Sequence, residues 1–258
     1  MIASVNNIKY IITNPEDCIQ KVLVENNQWN NEILTLIQEL KTKYNLKHFL
    51  NIGSHIGTIA IPVSRIINKV TAIEAYYPTF CHLNNNIKLN NIKNIETHTI
   101  AIGNNIEKIH FLGVNERTKN NMGGMHVITD SDKQNNIRSA ELVDDTYSCM
   151  MYPLDKVNEI DNFDIVLIDI EGMEDRFLLG ARSKIVKNKP IIITEIWDDD
   201  KRKSENMNSS RQDIINVITS LGYTLYKNID DDYVFLPNRL LYNRPKKSVK
   251  NNFRMAFM

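Results

Sequence analysis

Cysteine is scarce. The chain has only Cys18, Cys81 and Cys149, odd in number and far apart, with no C-x-x-C spacing, so neither a disulfide framework nor a zinc knuckle is encoded. Glycine (9) and proline (7) are sparse in 258 residues, which excludes collagen-like and low-complexity architectures. An excess of one charge is also missing. Lys+Arg and Asp+Glu both number 31, so the net charge is zero and nothing favours nucleic acid or anionic membrane in general. Long apolar runs are absent, and the first residues lack the basic and apolar regions of a secretory signal. No membrane span is expected, and a soluble, cytoplasmic protein is the expectation. What remains is ordinary globular composition, 42% hydrophobic and 24% charged.

Patterning supplies the elements. Residues 1–30 hold short β-like runs such as Ile8–Ile12. Ile33, Leu34, Leu36, Ile37, Leu40 and Tyr44 form a helical stripe over Asn31–Tyr44. Lys47–Gly53 reads as a strand running into glycine, Gly57–Ile67 as a helix, Val70–Glu74 as a strand and Tyr77–Asn90 as a helix. A third strand is expected over Ile95–Ile100, ending at Ala101–Gly103. Ile106–Leu112 reads as a strand within an otherwise irregular stretch from 104 to 152. Asp164–Ile170 is the strongest buried strand. A helix from about Met173 to Ile185 and the strand Pro190–Glu195 come next. Trp197–Ser210 is polar and loop-like, Arg211–Leu221 helical, and Tyr223–Tyr226 and Asp232–Leu236 a hairpin. Such strands, apolar enough for burial on both faces and alternating with helices, predict an α/β fold. Its sheet is mostly parallel with helices on both faces and an antiparallel last strand. No internal repeat or linker is present. An N-terminal extension over 1–45 packs on a single domain over 46–237, and a tail over 238–258 carries six Lys/Arg and no acid.

In an open parallel sheet, ligands bind beyond the carboxyl ends of the strands, where strand order reverses. The residues expected there are Asn51–Gly57, Glu74, Ala101–Gly103, Asp169–Gly172 and Glu195. Gly53-Ser-His-Ile-Gly57 is G-x-x-x-G, not the G-x-G-x-x-G of dinucleotide enzymes. Glu74 stands about 20 residues on, where a carboxylate can accept hydrogen bonds from both hydroxyls of a ribose. A helix starting near Gly57 would present its amides to a carboxylate. Without a diphosphate loop, the fitting ligand is a nucleoside with an amino-acid tail. S-adenosylmethionine (SAM) fits, and NAD fits less well.

These residues resemble the FkbM-type SAM-dependent methyltransferases. The resemblance spans roughly residues 47–197. It rests on Asn51–Thr58, Val70–Ala75, His82–Asn91, Ala101–Gly103, Asn121-Met-Gly-Gly124, Pro153-Leu-Asp155, Ile168–Gly172, Leu179-Gly-Ala181 and Pro190–Glu195, in that order. It implies a class I, Rossmann-like methyltransferase fold and O-methylation of a hydroxyl on a sugar, glycan or other small molecule. The implied cofactor is SAM, bound through Asn51, Gly53, Ser54, Gly57, Glu74, Ala75 and Ala101. The family usually has Asp where Asn51 stands, Ala-Asn where Ser54-His55 stands and Pro at Ala75. Asn51 hydrogen-bonds but cannot pair with the ammonium of SAM as Asp would. A retired, non-catalytic binding domain is therefore the alternative reading, and a nicotinamide oxidoreductase a further one. Amino-group DNA methylation wants Asp/Asn-Pro-Pro-aromatic where Asp169-Ile-Glu-Gly172 stands, and cytosine-C5 methylation wants a Pro-Cys nucleophile. Both readings fall.

A hydroxyl acceptor benefits from a general base. Asp169 and Glu171 are two apart, which in extended backbone puts both carboxylates on one side. Their proximity would raise one pKa, as suits a base, or hold a metal, although no metal ligand is assigned. His55 in the glycine loop and His126 after the Gly-Gly turn are the histidines to test as base or acceptor-orienting groups. Asn121, Gly123, Gly124, His126 and Glu195 are the expected acceptor wall. The zero net charge, with no aromatics clustered beside the basic tail, weighs against RNA as partner.

Overall fold

The computed structural model describes residues 1–111, 120–125, 127–134 and 147–242. The chain opens with a hairpin of β1 (Ile2–Val5) and β2 (Ile8–Ile11). Asn6 and Asn7 at its turn both have positive φ, a conformation asparagine tolerates better than most residues. Helices α1 (Cys18–Val24) and α2 (Asn31–Tyr44) follow. The apolar stripe of α2 buries Ile33, Leu36, Ile37 and Leu40 as the spacing predicts.

Next come β3 (His48–Ile52), α3 (Ala60–Ser64), β4 (Lys69–Ile73), α4 (Tyr77–Leu89) and β5 (Ile95–His98). Short strands β6 (Ala101–Ile102), β7 (Glu107–Phe111), β8 (Val127–Thr129) and β9 (Ser148–Tyr152), with helix α5 (Asp130–Gln134) after β8, build a separate four-stranded sheet. The chain returns through β10 (Ile165–Ile168), α6 (Glu174–Gly180), α7 (Arg182–Asn188), β11 (Ile191–Glu195), α8 (Asp199–Ser204) and α9 (Arg211–Ser220). It closes with β12 (Tyr223–Ile229), β13 (Asp232–Pro237) and α10 (Asn238–Tyr242).

The central sheet has seven strands in the order β12-β13-β11-β10-β3-β4-β5. β10 pairs in parallel with β3 and β11, β3 with β4 and β4 with β5, while β13 runs antiparallel to both of its neighbours. This is the doubly wound class I architecture with its antiparallel last strand. Its strands alternate between two cores. Phe49, Val70, Ile165, Leu167, Ile191 and Ile193 face the layer holding α2, α3 and α4, and Leu50, Ile52, Val166, Ile168 and Ile192 face the layer holding α6 and α7. Strand order reverses between β3 and β10.

Several local expectations are corrected. The third strand stops at His98, and Ala101–Ile102 pairs instead with Met151–Tyr152 in the small sheet. Apolar alternation does not distinguish one strand from two separated by a bend. The helix expected from Gly57 is only Ala60–Ser64. Pro62 has no N–H for the Thr58 carbonyl, and Gln28 Nε2 donates to that oxygen instead. The helix expected over Met173–Ile185 breaks at Ala181. There Asp155 accepts the amides of Ser183 and Lys184 and starts α7 afresh. The polar 197–210 segment contains α8, capped by Asp198, which accepts from the Lys201 amide. β12 runs on to Ile229 through an irregularity between Leu225 and Lys227. The tail begins with α10, and the basic residues beyond 242 lie outside the described residues.

Three of the resembling blocks are joints of the fold. Ala101–Gly103, Pro153–Asp155 and Leu179–Ala181 meet where a Cβ on Gly180 would lie 1.7 Å from the Gly103 carbonyl oxygen and 3.1 Å from the Pro153 Cα. The His82–Asn91 block holds the N-terminal hairpin. Asn86 Oδ1 accepts from the Ile11 amide, and Asn86 Nδ2 donates to the Ile56 carbonyl. Asn90 accepts from the Lys9 amide and donates to its carbonyl, and His82 Nε2 contacts the Ile11 carbonyl. Asn86 is fully buried, so Asn86→Ala takes the partner from the buried Ile56 carbonyl and from the half-buried Ile11 amide. It should cost about 1–3 kcal/mol in urea unfolding at unchanged slope. Asn85→Ala on the exposed face should stay within about 0.5 kcal/mol.

Candidate functional site

The β3–α3 loop is shaped by one close approach. A Cβ on Gly53 would sit 1.7 Å from the Asp169 carbonyl oxygen, and Gly53 also has φ +80, so only glycine fits. The Gly53 and Ser54 amides both donate to the Ile73 carbonyl, and the Gly57 amide donates to the Ser54 carbonyl. The His55 amide donates to Glu74 Oε2 at 2.8 Å. These four loop amides are thus satisfied within the protein, and the helix itself begins further on, at Ala60.

Beside this loop, at the carboxyl ends of the strands, lies a cavity of about 530 Å³. It receives Asn51, Gly53, Ser54 and His55 from β3 and its loop, and Glu74 and Ala75 from the end of β4. Ala101, Asn121, Gly123, Gly124, Asp169, Glu171 and Glu195 line it too. Gly57 does not line it; with φ +94, it packs toward Ile61 and Leu83 beneath the loop. His126 lies outside the described residues.

Two ends of the cavity differ in chemistry. At one end Glu74 Oε1 accepts from the Tyr76 amide at 2.9 Å, and burial raises its pKa to about 7 against these amides, which favour the charged form. The Ala75 amide acts in the same direction, and the carboxylate as a whole keeps acceptor capacity beyond these amides. Nearby Tyr76 packs on Phe111, with ring centroids 5.0 Å apart. Asn51 on the adjoining strand is 1% exposed, and neither its amide oxygen nor its amide nitrogen has a hydrogen-bond partner among the described residues. The His55 ring is held at about pKa 4 by burial, and its Nδ1 has no partner. At neutral pH it is an uncharged imidazole and a weak base.

The other end is acidic. Asp169, Glu171 and Glu195 bring one carboxylate oxygen each within 4.8 Å of one another. Asp232 faces Glu195 across the β11–β13 pair. Asp169 is raised well above the usual carboxylate range by burial and by the charges of Glu195, Glu171, Asp232 and Glu174. Burial also raises Glu195, against the Lys201 ammonium and a hydrogen bond from Trp197 Nε1. Asp232 is pushed to about 7 by burial and by Glu195. Lys201 is the one lysine or arginine among the described lining residues; it sits 3.9 Å from Glu171 and 3.6 Å above the Trp197 ring. The carboxylates of Asp169 and Glu171 do converge, but not by strand alternation. β10 ends at Ile168, and Glu171 has φ +53 in the following turn.

The remaining wall comes from the N-terminal segment, which sequence reasoning missed. Buried Asp17 caps α1 through Oδ1, which accepts from the Ile19 and Gln20 amides, while Oδ2 accepts from the Met122 amide at 2.9 Å. The Cys18 amide donates to the Asn120 carbonyl, and its thiol donates to Asn121 Oδ1. Asn121 Oδ1 also accepts from the Gly124 amide, and a Cβ on Gly123 would meet Ile19 at 2.7 Å. Cys18, Ile19, Trp29 and Asn30 thereby line the cavity. The available local signal was Asn-Pro-Glu-Asp ahead of an apolar helix, a cap pattern without a hint of its distant partner. Asp17→Ala should release the 120–125 turn. Hydrogen exchange would show faster amides at Met122, Ile19 and Gln20, with strands β10 and β11 unchanged.

The sequence signature described as the methyltransferase FkbM domain matches residues 51–225. Among curated proteins no sequence match is found. Solved structures that align with the chain include the methyltransferase FkbM from Methylobacillus flagellatus KT, at 17% identity and TM-score 0.48. That alignment covers 73% of this chain but only 43% of the other, so this chain spans less than half of that protein's length. An O-methyltransferase from Bacillus cereus in complex with SAH aligns at 14% identity and TM-score 0.45, over 80% of each chain. The tRNA (uracil-54, C5)-methyltransferase from Pyrococcus abyssi, in complex with S-adenosyl-L-homocysteine, aligns at 11% identity and TM-score 0.43, over 91% of this chain and 43% of that one.

Proposed function

The chain belongs to the FkbM methyltransferase family, and we propose that it uses SAM to methylate a hydroxyl of a sugar, glycan or other small molecule. The observation that carries this reading is the pairing, in one cavity, of buried Glu74 with spare acceptor capacity and an unpartnered buried Asn51 amide. A nucleoside with an amino-acid tail offers hydroxyls to the first, and polar groups to the second.

In this reading Glu74 accepts the ribose hydroxyls, and the amides of His55 and Tyr76 fix its two oxygens in place. Asn51 hydrogen-bonds the amino-acid tail. Gly53, Ser54, Ala75 and Ala101 form the wall, and Gly57 lets the loop close beneath it. Bound SAM supplies a methyl group already activated on a sulfonium. Much of the rate then comes from alignment, for which held reactants can supply about 7–11 kcal/mol. Asn121, Gly123 and Gly124, pinned to α1 through Asp17, hold the acceptor. Its proton is drawn toward the Asp169–Glu171–Glu195 carboxylates, with His55 a neutral hydrogen-bonding group rather than a base.

The test is thermal unfolding with SAM, S-adenosylhomocysteine and NAD in parallel. A ligand at 100 times its dissociation constant stabilises by about 2.7 kcal/mol, a shift of roughly 5–10 °C in a domain of this size. The shift should appear with SAM and S-adenosylhomocysteine only. A shift with NAD alone would replace the reading by an oxidoreductase, and none at all by a non-catalytic binding domain. Glu74→Ala should weaken S-adenosylhomocysteine binding about 10–100-fold by removing two hydrogen bonds to a charged acceptor. Because the ligand's hydroxyl donors favour ionised Glu74, affinity in the native protein should rise with pH through about 7. Titration calorimetry between pH 6 and 8 checks this, and Glu74→Gln should flatten the profile.

A further inference from the structure

The chain has two tryptophans, Trp29 and Trp197, and uses them in opposite ways. Trp197 is buried, its Nε1 donates to Glu195, and Lys201 lies over its ring. Trp29 is half-buried on the cavity wall. Among the described residues its ring has no aromatic or cationic neighbour, and its Nε1 has no hydrogen-bond partner. An indole sheltered from water ordinarily finds a partner for its N–H. The next residue repeats the pattern. Asn30 is the N-cap of α2, where asparagine ordinarily accepts from an amide of the first turn, yet it has φ 49 and its side chain caps nothing. Its side chain is exposed and lines the same cavity. The backbone of the pair, by contrast, is fixed. Gln28 Nε2 donates to the Trp29 and Thr58 carbonyls, tying the segment to the β3–α3 loop, and the Asn30 carbonyl accepts from the Leu34 amide. Two uncommitted side chains thus stand on an anchored stretch of chain.

We infer that Trp29 and Asn30 form an acceptor-specificity subsite that seats a neutral pyranose ring, its C–H face on the indole and its hydroxyls on the Asn30 amide and the indole N–H. This rests on the assignment of Glu74 to the nucleoside. Tyr76 and Phe111 already stand beside that carboxylate, which leaves the Trp29 wall to the second ligand. The wall also carries Cys18, which is joined to the Asn120–Asn121 turn of the acceptor wall. The Cys18 thiol is raised by burial and then by the charges of Asp17 and Glu171, so the same wall adjoins the acidic end. An anionic ring finds no seat among the described lining residues, because their one cation, Lys201, is engaged by Glu171 and the Trp197 ring. A neutral ring with several hydroxyls matches the rest, since Asp169 and Glu195 accept from hydroxyls. A flat aromatic ring would use the indole but offer no donors to the amide and carboxylates. Both residues precede the family match over 51–225, so the subsite belongs to this chain's own N-terminal segment.

The experiment is acrylamide quenching of tryptophan fluorescence in the full chain, with and without S-adenosylhomocysteine. Trp197, at 1% exposure, is shielded from the quencher, so the quenched signal reports Trp29. The probes are the methyl pyranosides of the gluco, galacto, manno and 6-deoxy series, with benzyl alcohol for comparison. At least one pyranoside should protect Trp29 with saturation. In calorimetry Trp29→Ala should weaken that sugar about tenfold, the upper range for an aromatic contact, and Trp29→Phe should restore most of the loss. Asn30→Ala should weaken it severalfold, and S-adenosylhomocysteine affinity should stay unchanged in all three variants. Thermal unfolding shows that the variants fold; should Trp29→Ala fail, exposed Asn30→Ala carries the comparison. Protection by no pyranoside, or by benzyl alcohol in their place, would overturn the subsite. So would protection by S-adenosylhomocysteine alone with its affinity lowered in Trp29→Ala, which would give Trp29 to the nucleoside. S-adenosylhomocysteine binding through Glu74 is read separately, and the sugar is also tested without it, so failure of one reading is distinguishable from failure of the other.

Discussion

The backbone contact between Gly53 and the Asp169 carbonyl is the constraint around which the site is arranged. It lies where strand order reverses, between β3 and β10, and lets two chain segments leave the sheet side by side. Any side chain at 53 would wedge them apart. The loop's amides would then lose the Ile73 carbonyl and Glu74 together, because they are satisfied only while the loop stays folded against β4. The same contact holds the Asp169 backbone beside the β3 loop, where its amide donates to the Ile52 carbonyl and its carboxylate joins Glu171 and Glu195.

Charge is divided unevenly along the cavity. Glu74 is a single buried carboxylate held by amides, whereas Asp169, Glu195 and Asp232 are neighbouring carboxylates, the first and last of them raised by the charge of Glu195. The first arrangement suits a neutral hydroxyl pair, and the second suits a cation. A molecule with an uncharged polar end and a positive centre would lie along such a gradient in one orientation.

Much of this was legible in the sequence because it depends on short-range pattern. The Ile33–Leu40 stripe, the apolar runs of β3, β4, β10 and β11, and the strand-tip rule brought Asn51, Glu74, Asp169 and Glu195 into one cavity. The misses share a cause. Asp17 reaches Met122, and Asp155 caps α7, across separations that no local periodicity encodes. The two-residue strand β6 and the break at Ala181 lie where Gly103 and Gly180 touch, a contact between residues far apart along the chain. Glu171 was placed by extended geometry that the chain does not adopt, and its convergence with Asp169 comes from a left-handed turn.

The asparagines of α4 have a consequence beyond anchoring. Each strand of a two-stranded hairpin leaves an edge whose amides and carbonyls are ready to pair with any extended chain. Here the N–H and C=O groups of Lys9 and Ile11 on β2 are already matched by Asn86, Asn90 and His82, spaced at helical intervals along α4. The helix stands in for a third strand. It closes the β2 edge against strand exchange through two asparagine amides and the His82 ring, which match the backbone's hydrogen-bonding pattern without offering a new edge of their own.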